Sequence, residues 1–464
     1  MTDTRPAYLT IAQVSRLLRA RKLSPVELTR AVLDRARAAQ LVTNAFITIF
    51  EDEAMAQARK AERAIVKGGY LGPLHGVPVS VKDIFDVKGL VTSCGSAVLH
   101  DNVAARDATA VQRLREAGAI LVGKTNMTEF AVDVPSPVYG PVRNPRDPER
   151  SAGLSSSGAG AAVLTGASFV ALGTDTGGSI RLPAAFSGCV GIKPTYGRVS
   201  RHGIFPLSWT LDHAGPLTRT VADAAVSLRV IAGHDPKDRT SSERRVPDYR
   251  RGINRGLGGL RVGVPREYFF DVTDQEILPF VRAAIDRLGE LGAEIREVSM
   301  PNVAESSRIV SSFIRSEQAS AHAELLRTRL HLYSKTLADR LLSASMRPAV
   351  TYLAAQRERA RVLDDMDAAL REVDVMVTPS TPMLPYKIAE QQFGTIWEGP
   401  AISWFTSPFN LCGLPAISLP CGFTDPGLPV GLQIIGPAFG EALVLRVAQA
   451  YEASTDWHKR LPEA

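Results

Sequence analysis

The chain has 464 residues, of which 45% are hydrophobic and 22% are charged, and its formal net charge is +6. These proportions are typical of a globular protein that can bury a sizeable core. No apolar run reaches membrane-spanning length and no basic block stands out, so we expect neither a membrane partner nor a nucleic-acid partner.

The four cysteines are scattered and form no C-x-x-C pair, so neither a zinc site nor a disulfide framework is predicted. The N-terminus lacks a basic segment followed by an apolar one, which is the pattern of a secretory signal. We therefore expect a cytoplasmic protein, and we allow for a homodimer.

In chain order, the predicted elements alternate between helices and short apolar strands. Predicted helices cover 9–67, 107–117, 159–165, 221–232, 275–291, 302–372 and 441–453. Predicted strands cover 77–82, 119–122, 169–172, 260–264, 294–298, 373–378, 416–419 and 430–435. Two Pro-rich segments, 140–150 and 379–400, are predicted as loops.

This alternation predicts an α/β fold with a mixed, largely parallel twisted β-sheet that helices cover on both faces. Residues 1–464 form a single large domain in this interpretation. It begins with the N-terminal helices over 9–67 and carries a helical insert over about 302–372.

The segment 151–200 is poor in charge and rich in Gly and Ser, yet it contains apolar runs. Small residues within apolar sequence indicate close backbone packing, or backbone N–H groups left free to bind. Gly177 and Gly178 precede Ser179 directly after a predicted strand. Such a turn suits an oxyanion or a phosphate, although the pattern fits neither a Walker loop nor a dinucleotide fingerprint.

Lys82 ends a predicted apolar strand. A lysine at a strand end ordinarily extends to water. The apolar residues before it also permit burial, which would lower the pKa of the ammonium group and make it a base. His75, His202 and His213 are alternative bases, although the chain has no G-x-S-x-G elbow for a histidine-dependent serine nucleophile.

Several segments together resemble the amidase signature family, and the resemblance spans most of the chain. They are GVPVSVKD at 76–83, VGKTNM at 122–127, GPVRNP at 140–145, GTDTGGSIR at 173–181, GIKPTYGRVS at 191–200, NLCGLPA at 410–416 and GLQ at 431–433.

The resemblance implies a triad in which Ser179 is the nucleophile, Lys82 is the base and Ser155 bridges them. The family places the bridging serine 24 positions before the nucleophile and gives it a cis peptide bond. Here the usual GGSSGGS reads GLSSSGA at 153–159, with Leu154 in place of a glycine, so Ser156 is kept as the alternative.

Two serines and a lysine are residue types that can carry out acyl transfer. A serine hydroxyl is a poor nucleophile without a base, and neutral Lys82 would supply one through Ser155. The oxyanion would bind the backbone N–H groups of Thr176, Gly177, Gly178 and Ser179. Asp175 and Arg181 are interpreted as supports of this loop. The family's chemistry requires no metal and no organic cofactor.

The function predicted is hydrolysis of linear amides through a serine acyl-enzyme, with a small-molecule amide or carbamate as substrate. Carbamate or urea hydrolysis, the transamidating A subunit of a glutamine-dependent tRNA amidotransferase, and an inactive scaffold are the alternatives. A hydrophobic or aryl substrate is expected from the types of the candidate pocket residues. These are Asn126, Met127, Val132, Asp133, Val134, Ile180, Trp209, Trp404 and Phe405.

Overall fold

Eleven strands form one sheet in the computed structural model, which describes residues 6–390 and 405–462. In chain order the strands are β1 Phe46–Ile49, β2 Pro78–Lys82, β3 Ile120–Thr125, β4 Val170–Asp175, β5 Val190–Lys193, β6 His213–Thr218, β7 Arg261–Pro265, β8 Glu294–Val298, β9 Val375–Pro379, β10 Ala416–Phe423 and β11 Pro429–Ile435. Their order across the sheet is β1-β3-β2-β4-β6-β5-β10-β11-β9-β7-β8.

Thirteen α-helices flank this sheet within the described residues. They are α1 Ile11–Arg19, α2 Pro25–Thr43, α3 Glu51–Val66, α4 Thr109–Glu116, α5 Ser157–Leu164, α6 Arg181–Ser187, α7 Val221–Ile231, α8 Leu278–Glu290, α9 Ser306–Arg329, α10 Lys335–Ser345, α11 Ala349–Glu372, α12 Ser407–Leu411 and α13 Glu441–Ala453. The α/β class with a mixed sheet is confirmed. The described part of the chain contains no helix of the length and apolarity that crossing a bilayer requires.

The expected predominance of parallel pairs needs a correction. Of the ten strand pairings among the described residues, six are antiparallel and four are parallel. Strand β6 was not predicted, because it contains Gly215 and Pro216, which are unfavourable in strands. It pairs antiparallel with both β4 and β5. The short connection from β10 to β11 also forces an antiparallel pair.

The helices and strands that were predicted most accurately are those marked by a local sequence pattern. The capping box at Ser24 and Glu27 is present, and α2 begins at Pro25 directly after it. Strand β8 and helix α13 have the predicted bounds. The predicted helical run over 9–67 instead contains strand β1, whose four residues are too few for a clear periodicity. Strand β5 and helices α6 and α12 were likewise not predicted.

The central strands bring the candidate residues together. Strands β2 and β4 are parallel neighbours, with Val81 opposite Leu172, so their carboxyl ends meet at the same edge of the sheet. Lys82 is the last residue of β2, and the loop 176–180 follows β4 directly. This edge of the sheet is therefore where the predicted base and the predicted nucleophile loop lie side by side.

Candidate active site

Lys82 is fully buried at the end of β2. Its Nζ donates hydrogen bonds to three hydroxyl groups: Ser155 Oγ at 2.7 Å, Thr174 Oγ1 at 2.8 Å and Ser156 Oγ at 3.2 Å. Burial lowers the pKa of Lys82 to about 7, against the opposing charges of Asp212 and Asp175. A lysine with this pKa is partly neutral near neutral pH and can then accept a proton.

The carboxylate adjacent in sequence, Asp83, does not hold the lysine charge. Its Oδ1 lies 2.7 Å from Lys124 Nζ, and its Oδ2 accepts hydrogen bonds from the Ser93 backbone and hydroxyl. Successive residues of a strand point to opposite faces. Among the residues that the structure describes, no carboxylate forms an ion pair with Lys82. The hydrogen-bond acceptors of its ammonium group are neutral hydroxyl groups.

Ser156 fixes the loop that carries Ser155. Its hydroxyl donates to the Thr174 carbonyl at 3.2 Å and accepts from the Thr174 N–H at 3.3 Å. Helix α5 begins one residue later, with a cluster of small buried residues. The Ser156 hydroxyl is thus committed to the backbone of β4, whereas Ser155 makes the shorter hydrogen bond to Lys82.

Ser179 is partly exposed on the loop after β4. Within residues 6–390 and 405–462, no hydrogen bond joins its hydroxyl to another side chain, so the second contact of the expected relay is not formed. Catalytic hydrogen bonds are commonly long until substrate binds. The cis peptide implied before Ser155 is not observed: every described peptide bond is trans, the form that a non-proline residue favours.

The loop of Thr176, Gly177, Gly178 and Ser179 presents four backbone N–H groups. None of these four groups donates a hydrogen bond to any of the described residues. Gly178 has φ +141°, and a Cβ there would lie 2.1 Å from Thr406 Oγ1, so only glycine fits. Free N–H groups in one short loop can bind an anion.

A buried ion pair supports this loop from behind. Arg181 Nη2 lies 2.9 Å from Asp175 Oδ1, and neither side chain is exposed. Burial alone would raise the pKa of the Asp175 carboxyl, but the Arg181 charge and hydrogen bonds hold it below its ordinary value. Asp175 Oδ2 also accepts from the Ile180 N–H, so the pair fixes the end of the loop that follows Ser179.

Two further residues complete the surroundings of Arg181, and both stand in segments that carry the family resemblance. Asn410 accepts from Arg181 Nη2 at 2.6 Å and donates to Asp175 Oδ1 at 2.8 Å. Gln433 accepts from Arg181 Nη1 at 2.7 Å. No role for these residues could be predicted from the sequence, because their partner lies more than 200 positions away.

Asp212 is another residue that sequence reasoning missed. Its Oδ1 accepts a hydrogen bond of 2.6 Å from Thr176 Oγ1, at the start of the loop with the free N–H groups. Burial raises the pKa of Asp212 to about 6, against the hydrogen bonds that its carboxylate accepts. Asp212 and Thr174 also line a cavity of about 250 Å³.

None of the three histidines forms a hydrogen bond with Ser155 or Ser179 within the described residues. His75 accepts from the Leu71 N–H through Nδ1. His213 is buried, with Nδ1 facing the carbonyl oxygens of Leu211 and Asp175, and burial lowers its pKa well below the ordinary value. His202 lines the same cavity as Asp212. This placement favours Lys82 as the base.

Most candidate pocket residues lie in the protein interior. Asn126 donates to the Asn44 and Gly140 carbonyls. Ile180 and Phe405 are fully buried in hydrophobic clusters. Because their side chains are occupied by packing or by backbone contacts, the structure favours a structural role for these three residues.

The remaining candidates are placed differently. Met127, Val132 and Val134 are buried in the main hydrophobic cluster, and Met127 also lines a small cleft with Leu154. Asp133 forms an ion pair with Arg340. Trp209 is 44% exposed and lines the cavity beside Asp212. Trp404 lies outside the described residues.

The described part of the chain contains no group of three or more His, Cys, Asp or Glu side chains that could hold a metal ion. The four cysteines lie there as free thiols. At this edge of the sheet the structure places Lys82, the hydroxyl groups of Ser155 and Ser156, and the backbone N–H groups of 176–179.

Comparisons with known proteins identify the family of this chain. The amidase family model matches residues 27–445. The A subunit of the glutamyl-tRNA(Gln) amidotransferase of Geobacter sp. (strain M21) is 42% identical, over 98% of this chain and 99% of its own length. An amidase of Pseudomonas putida is 41% identical over 98% of both chains. The peptide amidase of Stenotrophomonas maltophilia superposes with a TM-score of 0.87 at 31% identity, over 98% of this chain and 99% of that one.

Proposed function

The chain belongs to the amidase family and is thus a hydrolase of amide C–N bonds, and from this premise we propose that it cleaves linear amides through an acyl-enzyme on Ser179. Lys82 acts as the base and Ser155 passes the proton between them. One observation carries the proposal: a buried lysine donates to Ser155 at 2.7 Å beside a loop whose N–H groups are free.

The first half of the reaction forms the acyl-enzyme. Neutral Lys82 takes the proton of Ser155 as Ser155 takes that of Ser179, and Ser179 Oγ bonds to the substrate carbonyl carbon. The negative charge that develops on the carbonyl oxygen is stabilised by the N–H groups of 176–179. When the C–N bond breaks, the leaving nitrogen receives a proton from Lys82 through Ser155.

The second half releases the acid. Water adds to the acyl ester and gives its proton, through Ser155, to Lys82. The C–O bond to Ser179 breaks, and Ser179 regains its proton by the same path. All proton transfers return the enzyme to its starting state, so the sum of the two halves is an amide and water giving a carboxylic acid and an amine.

A hydrophobic or aryl acyl group remains our expectation for the substrate. The support is compositional: Met127 and Leu154 line the small cleft near Ser155, and Trp209 lines the cavity beside Asp212. Carbamates and ureas are alternatives within the same chemistry, because they also pass through a tetrahedral intermediate and a serine ester.

A second candidate function is transamidation as part of a tRNA amidotransferase. The relative from Geobacter that is 42% identical carries that name. A chain of that kind would release ammonia from glutamine and would work beside partner chains. The amidase relative from Pseudomonas putida, 41% identical over 98% of both chains, supports the hydrolase.

The test is a hydrolysis screen of the purified chain across aliphatic amides, anilides, carbamates, ureas and glutamine, with Ser179→Ala as the control. We expect amine release from at least one linear amide, by the wild type only. Turnover confined to glutamine, with partner chains co-purifying at fixed ratio, would instead support the amidotransferase.

A further inference from the structure

We propose that Glu317, on helix α9 of the segment 302–372, is a positioning residue for the loop of free N–H groups at 176–179. The inference rests on the proposed function, because it assigns a role to a residue that does not touch the reacting atoms. It connects the helical segment, which the proposed chemistry does not otherwise use, to the oxyanion site.

The Glu317 side chain is 1% exposed and accepts four hydrogen bonds. Oε2 accepts from Ser208 Oγ at 2.6 Å and from the Thr210 N–H at 3.1 Å. Oε1 accepts from Thr210 Oγ1 at 2.7 Å and from the Tyr352 hydroxyl at 2.8 Å. Three of the four donors therefore belong to one short turn, 208–210, which leads directly to Asp212.

The same turn holds Asp212. Both carboxylate oxygens of Asp212 accept from the Ser208 N–H, at 3.1 and 3.0 Å, and Oδ2 also accepts from the Leu207 N–H at 2.9 Å. Asp212 Oδ1 in turn accepts from Thr176 Oγ1 at 2.6 Å. Buried hydrogen bonds therefore connect Glu317 to Thr176 through Ser208 and Asp212.

This arrangement fixes the position of the first residue of the oxyanion loop. The other end of that loop is fixed by Asp175 and Arg181. Pre-organised N–H groups stabilise an oxyanion only if they already point to where it forms, so a small displacement of Thr176 costs rate. Ground-state binding of the substrate depends less on these groups, so the predicted defect lies mainly in kcat.

Two variants, Glu317→Gln and Tyr352→Phe, distinguish positioning of the oxyanion loop from a purely structural role of the Glu317 carboxylate. In Glu317→Gln, an NH2 group replaces one of the two accepting oxygens, so the side chain can no longer accept all three hydrogen bonds from 208–210. Tyr352→Phe removes a hydrogen bond from the same carboxylate but leaves 208–210 untouched. Both variants lose buried hydrogen bonds and are expected to show lowered melting temperatures, so thermal stability alone does not distinguish them.

Two rates, both measured well below the melting temperatures, distinguish Glu317→Gln from Tyr352→Phe. One is hydrolysis of the best amide from the screen, and the other is the rate at which phenylmethanesulfonyl fluoride labels Ser179. For Glu317→Gln we expect both rates to fall about tenfold, less than the 10²- to 10³-fold typical of a deleted oxyanion donor. KM should stay within about twofold. Tyr352→Phe should keep near wild-type rates.

If Glu317→Gln fails to fold, Ser208→Ala replaces it, because it removes the 2.6 Å hydrogen bond and keeps the N–H that binds Asp212. Equal rates in wild type and Glu317→Gln, or equal losses in Glu317→Gln and Tyr352→Phe, would overturn the positioning role alone. A wild type that neither hydrolyses an amide nor reacts with the reagent would overturn the proposed function and this inference with it.

Discussion

Arg181 and Asp175 form a fully buried ion pair, 2.9 Å between Nη2 and Oδ1, directly beneath the loop that presents free N–H groups. Every side-chain nitrogen of Arg181 donates a hydrogen bond, to Asp175, Asn410, Gln433 or the Thr406 carbonyl. The pair joins β4 to α12 and β11, so the conformation of the oxyanion loop depends on contacts from two distant parts of the chain.

Removing one member of this pair should be strongly destabilising. Arg181→Met leaves the Asp175 charge buried without its partner, and we expect a loss of about 3–5 kcal/mol in the free energy of unfolding. The matched control is Arg37→Met, whose ion pair with Asp34 is exposed and should be worth less than about 1 kcal/mol. Denaturant unfolding measures both. Equal losses in the two variants would contradict a structural role for the pair.

Lys82 should act as a neutral base, so kcat should rise with pH through about 7, where its lowered pKa lies. Lys82→Arg should lower kcat by at least about 10²-fold, because the guanidinium stays protonated and cannot accept a proton. Lys124→Arg is the control: Lys124 is also buried, but it pairs with Asp83. A pH–rate profile tests this. Substantial activity in Lys82→Arg would make Lys82 a structural cation.

Ser155 and Ser156 can be distinguished by alanine substitution. Ser155→Ala should lower kcat by about 10²-fold or more, since the path between Lys82 and Ser179 is broken. Ser156→Ala should affect thermal stability more than rate, because its hydroxyl bonds to the backbone of Thr174. Steady-state kinetics and melting temperatures are the measurements. A larger rate loss in Ser156→Ala would reverse the assignment.

Ser179→Ala should abolish turnover and leave the fold intact, because the nucleophile is lost while the change in size is small. In the wild type, phenylmethanesulfonyl fluoride should add one sulfonyl group to the chain, detectable by intact mass. The variant should gain none. Labelling that persists in Ser179→Ala would place the reactive serine elsewhere.

Glu452 provides a prediction about stability and pH that is independent of catalysis. Burial raises the pKa of Glu452 to about 8, and nearby Asp223 adds to the effect. The folded state therefore retains a proton that the unfolded state releases above about pH 4.5, so stability falls as pH rises from about 4.5 to 8. The Val221 N–H donates to Glu452 Oε1 at 2.9 Å.

Glu452→Gln keeps an oxygen for this hydrogen bond and cannot ionise. We expect its melting temperature to decline less than that of the wild type between pH 5 and pH 8. The free-energy difference between the two proteins should grow by about 1 kcal/mol or more over that range. Parallel melting curves at all pH values would show that Glu452 does not titrate in this interval.

Much of the fold was predictable because the signals are local. The capping box at Ser24 and the apolar periodicity of α13 lie within a few residues of the elements that they define. The apolar run that ends at Lys82 predicted the strand end and left burial of the lysine open; the structure shows that the lysine is buried. Strands β1 and β6 were missed because one is very short and the other contains Gly215 and Pro216.

Some features of the candidate site follow from the sequence, and others follow only from the tertiary structure. The sequence by itself determined the resemblance to the amidase signature family, because the motifs are a property of the chain alone, and that resemblance implies the candidate triad of Lys82, Ser155 and Ser179. Only the tertiary structure decided that Thr174 and Asp212 belong to the site, that Ile180 and Phe405 pack in the core, and that Asp83 pairs with Lys124. Such contacts depend on which strands become neighbours and how their registers align, and no periodicity along the chain records those pairings.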